Sequence, residues 1–180
     1  MYSSRPSADG LEQYNFFYMD ILIRRIEKKD YEEVKELLVD LVRSMAVYCP
    51  IRREEPASEY KDWYFQRALS YVEQGLGIIG VAEIDGKIVG CIYACVKEQT
   101  KDELLEYKKI TYGHIPDVFI KEGYRGQGIG KKLLQFAENF LKEKGCDYIE
   151  LAVRAKNTGA HQLYLELGFE DDLIEMLKKV

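Results

Sequence analysis

A glycine-rich stretch that follows an apolar run has the residue types of an anion site. The apolar run ends at Ile120 and predicts a strand, and the stretch after it predicts a turn into a helix. Its glycines carry no Cβ that would hold a ligand away from the backbone. Amides at a helix N-terminus bind anions, and two cationic side chains flank the glycines. The stretch therefore predicts a phosphate or pyrophosphate site in the residues Arg125, Gly126, Gln127, Gly128, Ile129, Gly130 and Lys131.

The spacing of the glycines excludes two common phosphate loops. A Walker loop has four residues between its glycines and a hydroxyl residue after its lysine, whereas Gly126 and Gly130 are closer together and Lys132 takes the hydroxyl position. The dinucleotide fingerprint G-x-G-x-x-G is not matched either. A glycine-rich turn with a solvated arginine remains the alternative interpretation of this stretch.

Two motifs resemble those of one enzyme superfamily. Arg125, Gly128 and Gly130 match R/Q-x-x-G-x-G/A, which is similar to the acyl-CoA pyrophosphate loop of the GNAT superfamily of N-acetyltransferases. The segment from Asn157 to Phe169 matches its second signature, N-x-x-A-x-x-x-Y-x-x-x-G-F. The resemblance is close over residues 117–169 and only topological between residues 20 and 116.

The resemblance implies an α/β (α+β) GNAT fold, with a mixed central β-sheet flanked by helices on both faces. We expect a partly mobile N-terminal extension at 1–19 and a single N-acetyltransferase domain at 20–180. Two parallel strands, His114–Ile120 and Asp147–Val153, are expected to splay apart and hold the acyl-CoA between them. A last β element is expected at Phe169 and Ile174–Leu177.

The resemblance also assigns contacts to acetyl-CoA, the expected co-substrate. Splayed strands leave backbone amides without partners, which is costly unless a ligand pairs with them. The amides from Val118 through Phe119 to Ile120 would therefore meet the pantetheine arm and the acetyl carbonyl. The glycine loop would hold the pyrophosphate. Asn157 would bond the pantetheine arm or a water, and its alternative role is that of a helix cap.

The implied reaction is direct attack of a primary amine on acetyl-CoA in a ternary complex. An alkyl amine has a pKa of roughly 10.4 and must lose a proton before it attacks. Asp117 is the candidate acceptor of that proton, directly or through water, and the alternative is a strand-end turn residue after Pro116. Tyr164 matches the superfamily's general acid, which would protonate the departing sulfur. Its alternative role is that of a core tyrosine.

Composition narrows the class of protein. The 180 residues suit one domain, and a net charge of −5 with dispersed Lys and Arg disfavours nucleic-acid binding. The segment preceding Asp20 does not have the pattern of a signal peptide, and no window is apolar enough for a membrane span, so we expect a cytoplasmic protein. The four cysteines form no C-x-x-C pair and the two histidines lie far from them in sequence, so no metal is expected.

The acceptor is less defined by the sequence. Aromatic and acidic residues occur in the first two helices and before the glycine strand, and they would suit a cationic amine, either a small molecule or a peptide. The alternative is that the aromatic residues belong to the core and the acidic ones to a solvated surface. These residues are Tyr48, Tyr60, Trp63, Tyr64, Glu54, Glu55, Asp102, Glu103 and Glu106. A non-catalytic acyl-CoA sensor is the alternative function, and an adaptor that binds no CoA is a third. A homodimer through the aromatic N-terminal segment or the last strand is a further expectation.

Overall fold

The computed structural model describes residues 20–49, 51–52 and 54–180. The predicted N-terminal extension lies outside these ranges. The helices and strands, in chain order, are β1 (Leu22–Arg25), α1 (Tyr31–Ala46), α2 (Tyr60–Glu73), β2 (Gly77–Ile84), β3 (Lys87–Lys97), α3 (Glu103–Glu106), β4 (Tyr112–Ile120), α4 (Ile129–Glu143), β5 (Tyr148–Leu151) and α5 (Thr158–Glu166).

Within the described residues, one five-stranded sheet has the order β1-β2-β3-β4-β5. The pairs β1–β2, β2–β3 and β3–β4 are antiparallel, and β4–β5 is parallel. A parallel neighbour requires a crossover, which α4 provides. The predicted mixed sheet is therefore confirmed, and the order of its strands places the parallel pair at one edge.

Helices cover both faces of this sheet, as predicted. Leu133, Ala137 and Leu141 recur at helical spacing along α4 and are buried against one face. On the other face, Leu37 of α1 and Phe65 of α2 pack against β2, β3 and β4. Each such buried side chain contributes about 1.5–3 kcal/mol relative to exposure. The sheet is thus fixed from both sides, and the glycine loop lies on the side of α4.

The hairpin between β2 and β3 turns at Asp85 and Gly86, a dipeptide that predicts a two-residue turn. Both have positive φ angles, 50° and 75°, which is the conformation of the two-residue turns whose twist matches that of paired strands. Ile84 and Lys87 pair directly on either side of the turn. The Asp-Gly signal in the sequence was therefore sufficient to place it.

The predicted β element at Phe169 and Ile174–Leu177 is wrong for the single chain. Residues 169–180 form neither strand nor helix, because no ladder partner lies beside them. The strand predicted from Asp147 to Val153 is also shorter, ending at Leu151. Residues 99–107, whose polar and acidic composition predicts a loop or a helical turn, contain the one-turn helix α3.

The described residues contain neither a candidate membrane helix nor a candidate metal cluster. None of their helices is both long and apolar enough to cross a bilayer. In the same ranges, no three His, Cys, Asp or Glu side chains are grouped so that they could hold a metal ion. The cysteines at 49, 91, 95 and 146 are free thiols.

Candidate active site at the parting of two parallel strands

The ladder between β4 and β5 ends halfway along β4. Tyr112 pairs with Tyr148, and the pairing continues only to Ile115 and Leu151. Beyond this point residues 117–120 of β4 are paired on one side only, with β3. The predicted splay of the two strands is therefore present in the structure, and it opens toward the glycine loop.

The hydrogen bonds of β4 show which amides face the gap. The Lys121 amide donates to the Val89 carbonyl at 2.9 Å, on the β3 side. Successive residues of a strand point their backbone groups to opposite edges. The amides of Val118 and Ile120 therefore face the gap, whereas Phe119 bonds toward β3. Of the three residues that the sequence assigned to the pantetheine arm, two therefore direct their amides into the gap.

The glycine loop presents a row of unpaired amides. Gly128 caps α4, and its carbonyl accepts the first bond of that helix from Lys132 at 3.2 Å. Over the described part of the chain, no acceptor lies within hydrogen-bond geometry of the amides of residues 126–131. These amides lie at the positive end of α4, as an anion site requires.

The three glycines of this loop have two different physical roles. Gly126 and Gly128 have φ angles of 74° and 79°, and a Cβ on either would meet nothing within 4 Å. They are needed for backbone conformation. A Cβ on Gly130 would lie 3.1 Å from a methyl of Leu163 and 3.3 Å from one of Ile120. Gly130 thus allows α4, α5 and the end of β4 to meet closely.

Arg125 links the loop to the end of β4. Its Nε donates to the Ile120 carbonyl at 3.0 Å, and its guanidinium lies 5.9 Å from the centre of the Phe119 ring. Lys131, in the first turn of α4, is exposed beside the free amides. Both cations predicted to flank the anion site therefore lie at the mouth of the gap.

A β-bulge in β4 determines which way Asp117 faces. Cys95 pairs with His114 and Tyr93 pairs with Asp117, so two residues of β4 lie opposite the single residue Ala94. The extra residue inverts the alternation of side chains. Asp117 therefore lies on the face of α1 and α2, and it is not a strand-end turn residue. Pro116 lies in the bulge, where its missing amide costs no ladder bond.

The carboxyl of Asp117 is buried beneath α2 with one strong donor. The hydroxyl of Tyr64 donates a hydrogen bond to its Oδ2. Burial raises the pKa of Asp117, and the Tyr64 hydrogen bond and the charge of Arg52 oppose that rise. Tyr60 stacks on Tyr64 at 5.5 Å, and burial raises its pKa to about 12. Asp117 is thus a carboxyl with a raised pKa beside two tyrosine rings.

The helix α5 brings the second signature to the core under α4. The side chain of Asn157 accepts from the Ala160 amide at 3.4 Å, which confirms the helix cap. Tyr164 packs against the core, with its ring 5.9 Å from that of Phe169. Burial raises the pKa of Tyr164, so its hydroxyl remains protonated at neutral pH. This is the state that a general acid requires.

The structure adds a polar pair that the sequence did not single out. His114 and Glu150 are ladder partners one residue before the strands part, with Nδ1 and Oε1 3.1 Å apart. Burial lowers the pKa of His114, which leaves the imidazole neutral near pH 7. Like the hydrogen bond from Tyr64 to Asp117, the His114–Glu150 pair joins residues that are far apart in sequence. For the bulge in β4, the one signal in the sequence was Pro116, a proline within a predicted strand.

The predicted acceptor residues are only partly brought together. Tyr60 and Tyr64 line the wall around Asp117. Glu55 pairs instead with Arg43 at 2.7 Å, and Glu103 caps the Thr100 amide at 2.7 Å. Two of the five acidic residues that were expected to attract a cationic acceptor, Glu55 and Glu103, are therefore engaged elsewhere, and Asp117 is the acid beside Tyr60 and Tyr64.

A match to a family model shows which family this chain belongs to. The acetyltransferase (GNAT) family model matches residues 32–169, which include both motifs and the gap between β4 and β5. The protein belongs to the GNAT family. The predicted superfamily and fold are thereby confirmed.

Two relatives are named as N-acetyltransferases, and one solved structure shares the fold. An uncharacterized N-acetyltransferase of Methanocaldococcus jannaschii is 29% identical over 90% of this chain and 66% of its own length. An uncharacterized N-acetyltransferase of Archaeoglobus fulgidus is 32% identical over 79% of this chain and 88% of its own. An aminoglycoside N-acetyltransferase in complex with CoA shares the fold, with a TM-score of 0.65 at 17% identity, covering 89% of this chain and 95% of that one.

Proposed function

We propose that this GNAT domain transfers an acetyl group from acetyl-CoA to a primary amine by direct attack in a ternary complex. One observation carries the proposal. The free amides of residues 126–131 and the gap-facing amides of Val118 and Ile120 form one continuous set of donors. A protein leaves backbone donors unpaired only where water or a ligand bonds them. A pyrophosphate followed by an amide-containing arm fits this set.

Binding would follow the order of these donors along the chain. The loop amides, with Arg125 and Lys131, would hold the pyrophosphate. The amides of Val118 and Ile120 would pair with the arm, and Asn157 would add a bond while it caps α5. When bound, acetyl-CoA supplies an activated acetyl thioester. No metal is required for this set of contacts.

The chemical step would use groups on both sides of the gap. Asp117 would accept a proton from the ammonium of the acceptor, directly or through water, and free its lone pair for attack. The Val118 amide would stabilise the charge that develops on the acetyl oxygen. As the new C–N bond forms and the C–S bond breaks, Tyr164 would donate its proton to the departing sulfur.

The acceptor would approach from the face of α1 and α2. Asp117 is oriented to that face by the bulge, and Tyr60 and Tyr64 surround it. An ionised carboxylate within aromatic rings suits a primary ammonium. The structural neighbour solved with CoA is an aminoglycoside N-acetyltransferase, an enzyme with an amine acceptor. A small-molecule or a peptide amine would each satisfy this chemistry.

The test separates cofactor binding from turnover. We expect acetyl-CoA to raise the melting temperature, and a panel of amines to be acetylated. Tyr164→Phe should keep the thermal shift and lose activity by roughly 100-fold or more, the range of general acid catalysis. Tyr148→Phe, on an exposed ring outside the gap, is the matched control. A thermal shift without turnover on any amine would favour the non-catalytic sensor. No thermal shift would refute the proposal.

A further inference from the structure

Arg67 is the one cationic residue of α1 and α2 that pairs with no carboxylate among the described residues. These two helices contain four Lys and Arg residues, and the other three each have an acidic partner. The paired residues are Lys35, Arg43 and Lys61. The residues one helical turn from Arg67 in either direction are Trp63, Tyr64, Ser70 and Tyr71. None of them is an acid, so the guanidinium of Arg67 is available to a ligand.

The position of Tyr64 shows which way Arg67 faces. Residues three and four apart lie on the same side of a helix, so Tyr60, Tyr64 and Arg67 share one side of α2. Tyr64 is bonded to Asp117, and this side of α2 therefore faces the proposed acceptor site. Arg67 lies one turn beyond Tyr64, at the end of the site opposite to Tyr60.

The sheet beneath Arg67 is formed by the paired residues Cys95 and His114. His114 lies on the α2 face, because a Cβ on Gly113 would meet α4 and Ile115 is buried in the core under α4. Burial raises the pKa of the Cys95 thiol and lowers that of the His114 imidazole, and the charge of Arg67 acts to lower both. The guanidinium therefore lies close to this pair.

The guanidinium of Arg67 is held against an aromatic ring. It lies 5.9 Å from the centre of the Trp63 ring. A guanidinium stacked in this way keeps its N–H groups free for two parallel hydrogen bonds to a carboxylate. Arg67 is also exposed, so a small molecule can reach it.

The acid nearest to the floor beneath Arg67 is already engaged. Oε1 of Glu150 lies 3.2 Å from Lys97 and 3.1 Å from His114. Lys97 also lies 3.8 Å from Glu103. These groups form a cluster of their own, and the charge of Arg67 stays uncompensated.

A second arginine adds to the positive charge of the acceptor site. Arg52, in the connection between α1 and α2, makes no ion pair within the described ranges. Burial raises the pKa of Asp117, and the charge of Arg52 opposes that rise, so Arg52 lies close to the acid. An acceptor with positive charge alone would meet two arginines and a single carboxylate. An acceptor with one ammonium and one carboxylate is complementary to this set.

We propose that the acceptor is a zwitterion whose carboxylate binds Arg67 while its amine lies beside Asp117. This inference rests on the proposed acetyl transfer and names the class of its acceptor. Asp117 pairs with Tyr93, and His114 pairs with Cys95, two residues further along β3 and roughly 7 Å away. An ω-amino acid, in which several carbons separate the amine from the carboxylate, matches this spacing. The two groups of an α-amino acid are too close together.

Two acceptors of equal length test the role of the charge. ε-Aminocaproate and its amide differ only in the carboxylate. We expect kcat/KM to be roughly 10-fold or more higher for ε-aminocaproate, which is the effect of hydrogen bonds to a charged group. It should also exceed the value for glycine, whose amine and carboxylate are too close to reach both residues. Equal kcat/KM for ε-aminocaproate and its amide would overturn the proposal.

Variants of Arg67 assign the preference to this residue. Arg67→Met keeps an apolar stem beside Trp63 and should remove the preference for the carboxylate. Arg67→Glu should reverse it in favour of cadaverine, a diamine of similar length. Arg25→Met and Arg25→Glu are the matched controls, because Arg25 is an exposed arginine of β1, at the opposite edge of the sheet. A preference that survives Arg67→Met, or one that is lost only in Arg52→Met, would overturn the assignment to Arg67.

Direct binding separates this inference from the acetyl transfer on which it rests. Calorimetric titration in the presence of CoA measures the affinity of the parent protein and of Arg67→Met for ε-aminocaproate and its amide. A preference for the carboxylate that disappears in Arg67→Met, in a protein that acetylates no amine, would support the carboxylate site and refute the transfer. Equal affinities in the parent protein would refute the site, whatever the turnover.

Discussion

The hydroxyl of Tyr64 donates a hydrogen bond to the carboxyl of Asp117, joining α2 to the middle of β4. Two opposing effects act on this carboxyl. Burial raises its pKa because the charged form loses water, and the Tyr64 bond lowers it because an O–H donor stabilises the carboxylate. The pKa of Asp117, the proposed proton acceptor, is thus lowered by Tyr64, a residue of a different element.

Removal of the Tyr64 hydroxyl should shift the pH dependence of the reaction. In Tyr64→Phe the carboxylate loses its donor, so the pKa of Asp117 rises further and the acidic limb of kcat/KM moves to higher pH. A pH–rate profile measures this shift. Tyr60→Phe is the control, since the Tyr60 ring stacks beside Tyr64 and its hydroxyl makes no hydrogen bond to Asp117 among the described contacts. An acidic limb that stays in place would show that Asp117 is not the titrating group.

Asp117→Asn should make the protein more stable while it abolishes activity. Burial raises the pKa of the carboxyl in the folded state, so the ionised form opposes folding at neutral pH. Below the ordinary pKa of 3.8 both side chains are neutral and the variant gains nothing. The advantage should grow as the pH rises from 3.8 to the folded-state pKa and stay constant above it.

Urea denaturation at acidic and neutral pH checks this prediction. The difference in unfolding free energy between Asp117→Asn and the parent protein should be larger at pH 7. An equal difference at both pH values would mean that burial does not perturb this carboxyl.

Gly128→Ala should weaken CoA binding more than it weakens the fold. A side chain at a φ of 79° costs roughly 1–2 kcal/mol, and the backbone would relax by moving the amides of the first turn of α4. Calorimetric titration with CoA should show at least a several-fold loss of affinity. Gly123→Ala is the matched control, because that glycine lies in the same connection, without a positive φ and with open space around it.

The ion cluster at the start of the domain should be a major source of stability. Arg24 lies between Asp30, which is 4% exposed, and Glu83, at 2.6 Å and 2.7 Å. Arg24→Met would leave the buried Asp30 without its cation, at a cost of about 3 kcal/mol in denaturation experiments. Arg43→Met is the control: that arginine also has two acidic partners, but it is 46% exposed, and its loss should lower the unfolding free energy far less than Arg24→Met does.

This cluster also predicts a direction with pH. Arg24 lowers the pKa of Asp30 below its ordinary 3.8. The stabilisation is therefore fully present above that ordinary value, and it is lost as the pH falls through the folded-state pKa. The parent protein should lose stability in that acidic range, and Arg24→Met should lose less, because its Asp30 no longer has a lowered pKa.

Local signals in the sequence were enough to place most of the helices and strands. Asp85 and Gly86 defined a turn, Asn157 defined a helix start, and the spacing of Leu133, Ala137 and Leu141 defined the buried side of α4. Each depends on neighbours within a few residues. The sequence therefore predicted these features at almost the bounds that the structure shows.

Contacts between distant residues could not be obtained in this way. The bond from Tyr64 to Asp117 joins residues 53 positions apart, and the His114–Glu150 pair depends on the register of β4 with β5. Register and partner choice follow from the packing of the whole domain. The segment at Ile174–Leu177 failed for the same reason, because a strand requires a partner that its own sequence does not specify.

The two-against-one pairing opposite Ala94 makes the chemistry of this strand depend on a residue count. In a straight ladder of the same length, continued from Cys95 and His114, each side chain of β4 after residue 115 would lie on the opposite face of the sheet. Asp117 would then lie opposite Ile92, among the aliphatic residues beneath α4, and Val118 would face the amine's side. Loss of one bulge residue would leave Tyr93 opposite Asp117, whereas pairing of the full-length strand without the bulge would misdirect the acid.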